Sequence, residues 1–105
     1  MSSKEKGLET FADGIDEVLA EIRATLISKQ MDYGKSNILD FGEIGILVRT
    51  NDKIARLKNL IMNNKKAKNE SVDDSWKDLA GYAVLALMLR RGTFNLPMEE
   101  EEADG

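Results

Sequence analysis

Four carboxylates lie where their types and spacing could support chemistry: Glu43, Asp52, Asp74 and Asp78. Asp74 and Asp78 are four residues apart, so they project from one face of a helix. Asp78 directly precedes the apolar run Leu79–Leu89, and we therefore expect it in a cleft rather than on open surface. A carboxylate in such a place is costly unless it is paired, so a metal ion or a cationic side chain should meet it.

Carboxylate oxygens are the ligands that Mg²⁺ and Mn²⁺ prefer. The chain has no cysteine and no histidine, which excludes thiolate nucleophiles, Ser–His triads and nearly every zinc site. We therefore expect Mg²⁺ or Mn²⁺ held by Asp52, Asp74 and Asp78, with Asp78, Asp52 and Glu43 as the candidate catalytic residues. Two simpler interpretations remain open: Asp74 as part of a helix cap, and Glu43 as an ordinary solvated side chain.

Basic side chains accompany these acids. Arg49, Lys53 and Arg56 recur at helical spacing, and Lys77 lies beside Asp78. Guanidinium and ammonium groups next to a metal are suited to neutralise phosphates. The alternative is that Asp52 and Arg56 form an ordinary ion pair on a solvated helix face, worth about 0.3–0.5 kcal/mol.

A third group could read a nucleobase by stacking and hydrogen bonding: Tyr33, Asn37, Asn51, Trp76 and Tyr82. Trp76 lies on the opposite side of its helix from Asp78 and Tyr82, so we predict a core or interface position for it. The sequence contains no P-loop and no dinucleotide-binding fingerprint.

The elements that must position these residues are all helical. Apolar residues recur at helical spacing in three segments, which predicts an all-α fold, a small bundle of three main helices over about 10–31, 45–63 and 72–91. Gly42 and Gly45 predict a bend or a close backbone approach, and Gly92 after two arginines predicts the end of the third helix. That helix is apolar all round, so we expect it to be buried on all sides. Three helices cannot achieve this, and we predict that a homo-oligomer completes the bundle.

Length and charge restrict the remaining possibilities. The chain of 105 residues is predicted to form one helical domain over residues 1–92, followed by a mobile acidic tail over residues 93–105. The net charge is −4, and no basic face typical of general nucleic-acid binding is visible. No apolar segment reaches ~18 residues and no signal region is visible, so we expect a cytoplasmic protein without a membrane partner.

The segments Phe41-Gly42-Glu43, Asp52-Lys53-Ile54 and Asp78-Leu79-Ala80-Gly81-Tyr82 are distinctive in combination. Together with their neighbours over about residues 22–92, they resemble the nucleotide modification associated domain 1 family, small proteins encoded largely by bacteriophages. The resemblance implies a role beside genes that make or handle modified nucleotides, and a place in the host cytoplasm.

More distantly, the chain resembles the MazG-like all-α nucleoside triphosphate pyrophosphatases. That resemblance implies an oligomer that binds Mg²⁺ through acidic residues on two packed helices and releases pyrophosphate from a nucleoside triphosphate. Asp78 before an apolar stretch matches the end of the second acidic motif. Ser75 and Ala55 stand where that pattern has acids.

Three functions follow as hypotheses. The first is an Mg²⁺-dependent nucleoside triphosphate pyrophosphohydrolase, with a deoxynucleoside triphosphate as the expected substrate. The second is a protein that binds and sequesters a nucleotide or a nucleotide-derived signal without turnover. The third is a helical bundle that acts only through protein interactions.

Overall fold

The structure, a computed structural model, describes residues 7–33, 36–63 and 72–98, of which residues 32–33 and 36–40 are described in backbone only. It contains three α-helices: α1 (Phe11–Tyr33), α2 (Ser36–Leu57) and α3 (Val72–Arg91). A π-helical turn, Lys58–Met62, continues α2. No strand occurs in the described ranges, which confirms the predicted all-α fold. None of these helices is both long and apolar enough to span a membrane.

The start of α1 is fixed by three hydrogen bonds around Asp13. The backbone N–H of Asp13 donates to Thr10 Oγ1 at 3.1 Å, and the Asp13 carboxylate accepts from the backbone N–H groups of Glu9 at 3.0 Å and Thr10 at 3.1 Å. These bonds satisfy donors that no helical carbonyl reaches. The bonds from Glu9 and Thr10 also hold the pKa of Asp13 below its ordinary value.

The second helix spans Ser36–Leu57, but Gly42 interrupts it, so its longer part begins close to the predicted start near residue 45. Gly42 has φ 60° and ψ −152°, a conformation that is open almost only to glycine. The bend expected at the two glycines is therefore real, but it kinks α2 internally.

The third helix has the predicted bounds, and Gly92 with φ 73° follows it. Its expected cap at Ser71 lies outside the described residues. One side of α3 is exposed, as the sequence predicts for three helices: Trp76 is 55% and Leu87 50% exposed. The oligomer expected to cover this side stays a prediction. Two other helices cover only the inner side of α3.

The core forms where α2 and α3 run antiparallel. Ile46 and Phe94 are buried against each other at 4% and 5% exposure, and partly buried side chains of α3 pack around them: Tyr82, Leu85, Ala86, Met88 and Leu89. Phe94 belongs to the segment assigned from sequence to the acidic tail. The packed structure therefore continues past residue 92, while residues 99–105 lie outside the described ranges.

We predict that Gly42→Ala lowers the free energy of unfolding by about 1–3 kcal/mol, because alanine at this backbone conformation is strained. The cost is conformational rather than steric, since a Cβ atom at Gly42 would meet nothing within 4 Å. Gly14→Ala is the matched control: it has the same open space but ordinary helical geometry, and it should stabilise by about 0.5–1 kcal/mol. Chemical denaturation measures both, and equal effects would contradict the assignment of strain to Gly42.

Candidate functional site

One carboxylate joins all three helices. Asp78 Oδ1 accepts a hydrogen bond from Lys29 Nζ of α1 at 3.1 Å, and Asp78 Oδ2 lies 2.9 Å from Lys53 Nζ of α2. The side chains of Asp78 and Lys53 are only 14% and 20% exposed, and that of Lys29 is 52% exposed. The expected charged partner of Asp78 is therefore a pair of ammonium groups.

The close packing of α1 on α3 brings Lys29 to this point. A Cβ atom on Gly81 would lie 3.0 Å from Leu26 Cδ2, so the absence of a side chain at Gly81 lets α1 approach α3 closely. Lys29 follows Leu26 by about one turn, and Asp78 precedes Gly81 by about one turn. The apolar contact thus positions the ion pair beside it.

The two lysines control the ionisation of Asp78. Burial raises the pKa of the carboxyl group, but hydrogen bonds and charge from Lys53 and Lys29 outweigh it and hold the pKa below its ordinary value. Asp78 is accordingly a carboxylate at neutral pH and a poor candidate for a general acid.

Further charged side chains surround the junction formed by Asp78, Lys29 and Lys53. Lys77 Nζ lies 3.5 Å from Glu21 Oε1 and 3.7 Å from Asp74 Oδ1. We call the six residues the lysine–aspartate cluster: Glu21, Lys29, Lys53, Asp74, Lys77 and Asp78. A hollow of about 280 Å³ opens inside it. Its walls are formed by Thr25, Lys29, Asp74, Lys77 and Asp78.

The other residues that the sequence predicts for the site lie outside the lysine–aspartate cluster, or have side chains outside the described part of the chain. Glu43 is paired with Arg90 at 2.8 Å from Nε to Oε2, on the rim of the α2–α3 pair, and this pairing raises the pKa of Arg90. Tyr82 packs into the core around Ile46. Asp52 is exposed on α2.

Two arginines and two possible base-reading residues complete the predicted set. Arg49 is half-buried and Arg56 is exposed, one turn before and one turn after Lys53 on α2. Tyr33 ends α1 and Asn37 lies in the first turn of α2. The side chains of Tyr33 and Asn37 lie outside the described part of the chain.

The described residues do not assemble the expected metal cage. In residues 7–33, 36–63 and 72–98 no three acidic side chains come together as metal ligands. Both oxygens of Asp78 already face ammonium groups, which would repel a cation in the same place. These residues, as arranged, do not fit Mg²⁺, and the metal site stays a prediction from sequence.

Sequence reasoning missed two members of the cluster, Lys29 and Glu21. Both lie on the polar side of α1, and their spacing reveals nothing about which helix they face. The available signal was indirect: an aspartate next to an apolar run required a cation, and the glycine one turn later marked a place where another helix can approach closely.

The chain belongs to the nucleotide modification associated domain 1 family, whose model matches residues 29–89, more than half of the chain. The match begins at Lys29 and includes Lys53 and Asp78, so all three residues of the junction fall within the family domain. No curated protein and no solved structure matches the chain.

We predict that Asp78→Asn lowers the free energy of unfolding at pH 7 by about 1–3 kcal/mol, because it leaves the half-buried Lys53 without its carboxylate. A carboxyl group with a lowered folded-state pKa stabilises above its unfolded pKa, and this contribution is lost as the pH falls through the folded value. The difference between wild type and variant should therefore shrink below about pH 4. Urea denaturation at pH 7 and pH 3 measures the free energies of unfolding of the wild type and the variant.

Asp52→Asn is the control, because Asp52 is an exposed aspartate of the same predicted site. Its effect should stay within about 0.5 kcal/mol at both pH values. An equal loss in both variants, or a loss at Asp78 that does not depend on pH, would show that the junction does not stabilise the fold through charge.

Proposed function

We propose that this protein binds a phosphorylated nucleotide at the lysine–aspartate cluster. The observation that carries the proposal is that Lys29 and Lys77 line one hollow beside Asp78, whose other oxygen meets Lys53. All three lysines fall within the family match. The family is described as associated with nucleotide modification. Ammonium groups are common ligands of phosphate oxygens.

The size of the hollow indicates which part of a nucleotide it would take. About 280 Å³ is slightly less than the ~300–1,000 Å³ of pockets that enclose drug-sized ligands. The hollow has room for phosphate groups, whereas the nucleoside would lie against its rim. Arg49 and Arg56, on either side of Lys53 along α2, would extend the positive charge for a longer phosphate chain.

The charge balance of the cluster favours polyphosphates over monophosphates. Three lysines face Glu21, Asp74 and Asp78, so the cluster has no net charge. In the ligand-free protein these carboxylates hold the lysines in place, and an incoming anion must compete with them. A di- or triphosphate, with several charges, competes better than a single phosphate group.

Binding without turnover is the form of the proposal that the geometry favours. Hydrolysis through Asp52, Asp74 and Asp78 would require a metal, and Lys29 and Lys53 occupy the oxygens of Asp78. Mg²⁺-dependent pyrophosphohydrolysis is therefore the alternative, and an assay for pyrophosphate release decides between the two.

We predict opposite effects for two variants in nucleotide titrations by calorimetry. Lys29→Gln, at a lysine that lines the hollow, should weaken binding of nucleoside triphosphates roughly ten- to a hundredfold, because one charge-assisted hydrogen bond is lost. Asp78→Asn should tighten binding in the presence of EDTA, because it removes a competing anion and leaves the lysines. Lys58→Gln, at an exposed lysine outside the cluster, should bind as the wild type does.

Parallel reactions with Mg²⁺ or Mn²⁺ and a panel of mono-, di- and triphosphates, ordinary and modified, test for pyrophosphate release. Release that Asp78→Asn abolishes would replace the binding proposal with the hydrolase. The binding proposal also fails if no nucleotide binds, or if Lys29→Gln and Lys58→Gln bind equally well.

A further inference from the structure

A row of mostly apolar residues runs along the side of α3 that faces away from α1. Its residues alternate in steps of three and four, the spacing of a coiled-coil seam. We call this row the outer seam: Asp73, Trp76, Ala80, Ala83, Leu87 and Arg90. Four apolar residues form its middle, with an acidic residue at one end and a basic residue at the other.

Much of the outer seam is exposed within the described residues. Trp76 and Leu87 are 55% and 50% exposed, and Ala83 is also exposed. A single exposed apolar side chain is ordinary, but a continuous row along a helix marks an interaction surface.

The second helix widens this surface. Leu47 is 68% and Ile54 41% exposed, and both follow Glu43 at helical spacing on α2. Glu43 pairs with Arg90 of the outer seam at 2.8 Å, so the two rows lie on the same side of the α2–α3 pair. Lys29 and α1 pack against the other side, around Asp78.

We propose that a second copy of this chain covers the outer seam, with the two α3 helices antiparallel about a two-fold axis. In an antiparallel seam each a position meets a d position of the other helix. One register satisfies the whole row: Trp76 packs on the partner's Leu87, and Ala80 packs on the partner's Ala83. The alanines at the centre allow the two helices to approach closely.

Charge complementarity selects a copy of the same chain in this register. Asp73, in the first turn of α3, meets the partner's Arg90, in the last turn, and the two-fold axis makes this contact twice. Arg90 then bridges Glu43 of its own chain and an acid of the other. Antiparallel helix dipoles add to the match. With Leu47 and Ile54 flanking the seam, α2 and α3 of both copies form a four-helix bundle.

Sedimentation equilibrium tests the association. The wild type should have the mass of a dimer, and Leu87→Asp should have that of a monomer while its helical circular dichroism is retained, since Leu87 is exposed in the single chain. Val18→Asp is the matched control, at a residue of α1 that is 48% exposed, and it should remain dimeric. A monomeric wild type, or a Leu87→Asp variant that stays dimeric, overturns the proposal.

Cross-linking tests the register independently of folding effects. The chain has no cysteine, so single substitutions report directly. A mixture of Ala80→Cys and Ala83→Cys chains, distinguished by a tag, should form the mixed disulfide in preference to either self-linked species. Mixed and self-linked species in random proportions would show that the copies do not meet in this register. Cross-links that form only with Asp16→Cys on α1 would show that the copies meet through a different helix.

Discussion

The fold depends on the neutralisation of one charge at the point where α3 becomes apolar. Asp78 cannot be withdrawn from water without a partner, and the chain supplies one ammonium group from each of the other helices, Lys29 and Lys53. Each partner fixes the position of its helix relative to α3. The same contact therefore joins the three helices and assembles the positive charge of the candidate site.

As a consequence of this arrangement, the two sides of α3 are covered to different extents. Its inner side holds the ion cluster and the contacts with Ile46 and Phe94, and both other helices are used to cover it. Its outer side is also apolar in sequence, but it stays exposed at Trp76 and Leu87 in the part of the chain that the structure describes. Hydrophobicity alone predicts that α3 is buried, and the 55% exposed Trp76 lies on the side that the proposed second copy would cover.

The sequence predicted those features that depend on local pattern. The bounds of α3, the bend at Gly42 and the need of Asp78 for a cation all follow from spacing and from glycine chemistry. The features it did not predict depend on which helix meets which: Lys29 as a partner of Asp78, and Glu43 as a partner of Arg90. Phe94 was missed for a related reason, because a lone aromatic residue after a helix stop has no periodicity to show that it folds back onto Ile46.

The two sides of α3 also keep the two proposals separate. Lys29, Lys77 and the hollow belong to the side on which α1 packs, whereas Trp76 and Leu87 belong to the side that the second copy would cover. A dimer built through the outer seam leaves both hollows facing outwards, and neither copy lends a residue to the other's cluster. Dimerisation would then stabilise α2 and α3 as the platform of the site while the charges that contact a nucleotide come from one chain, so the affinity of each site should not depend on whether the other is occupied.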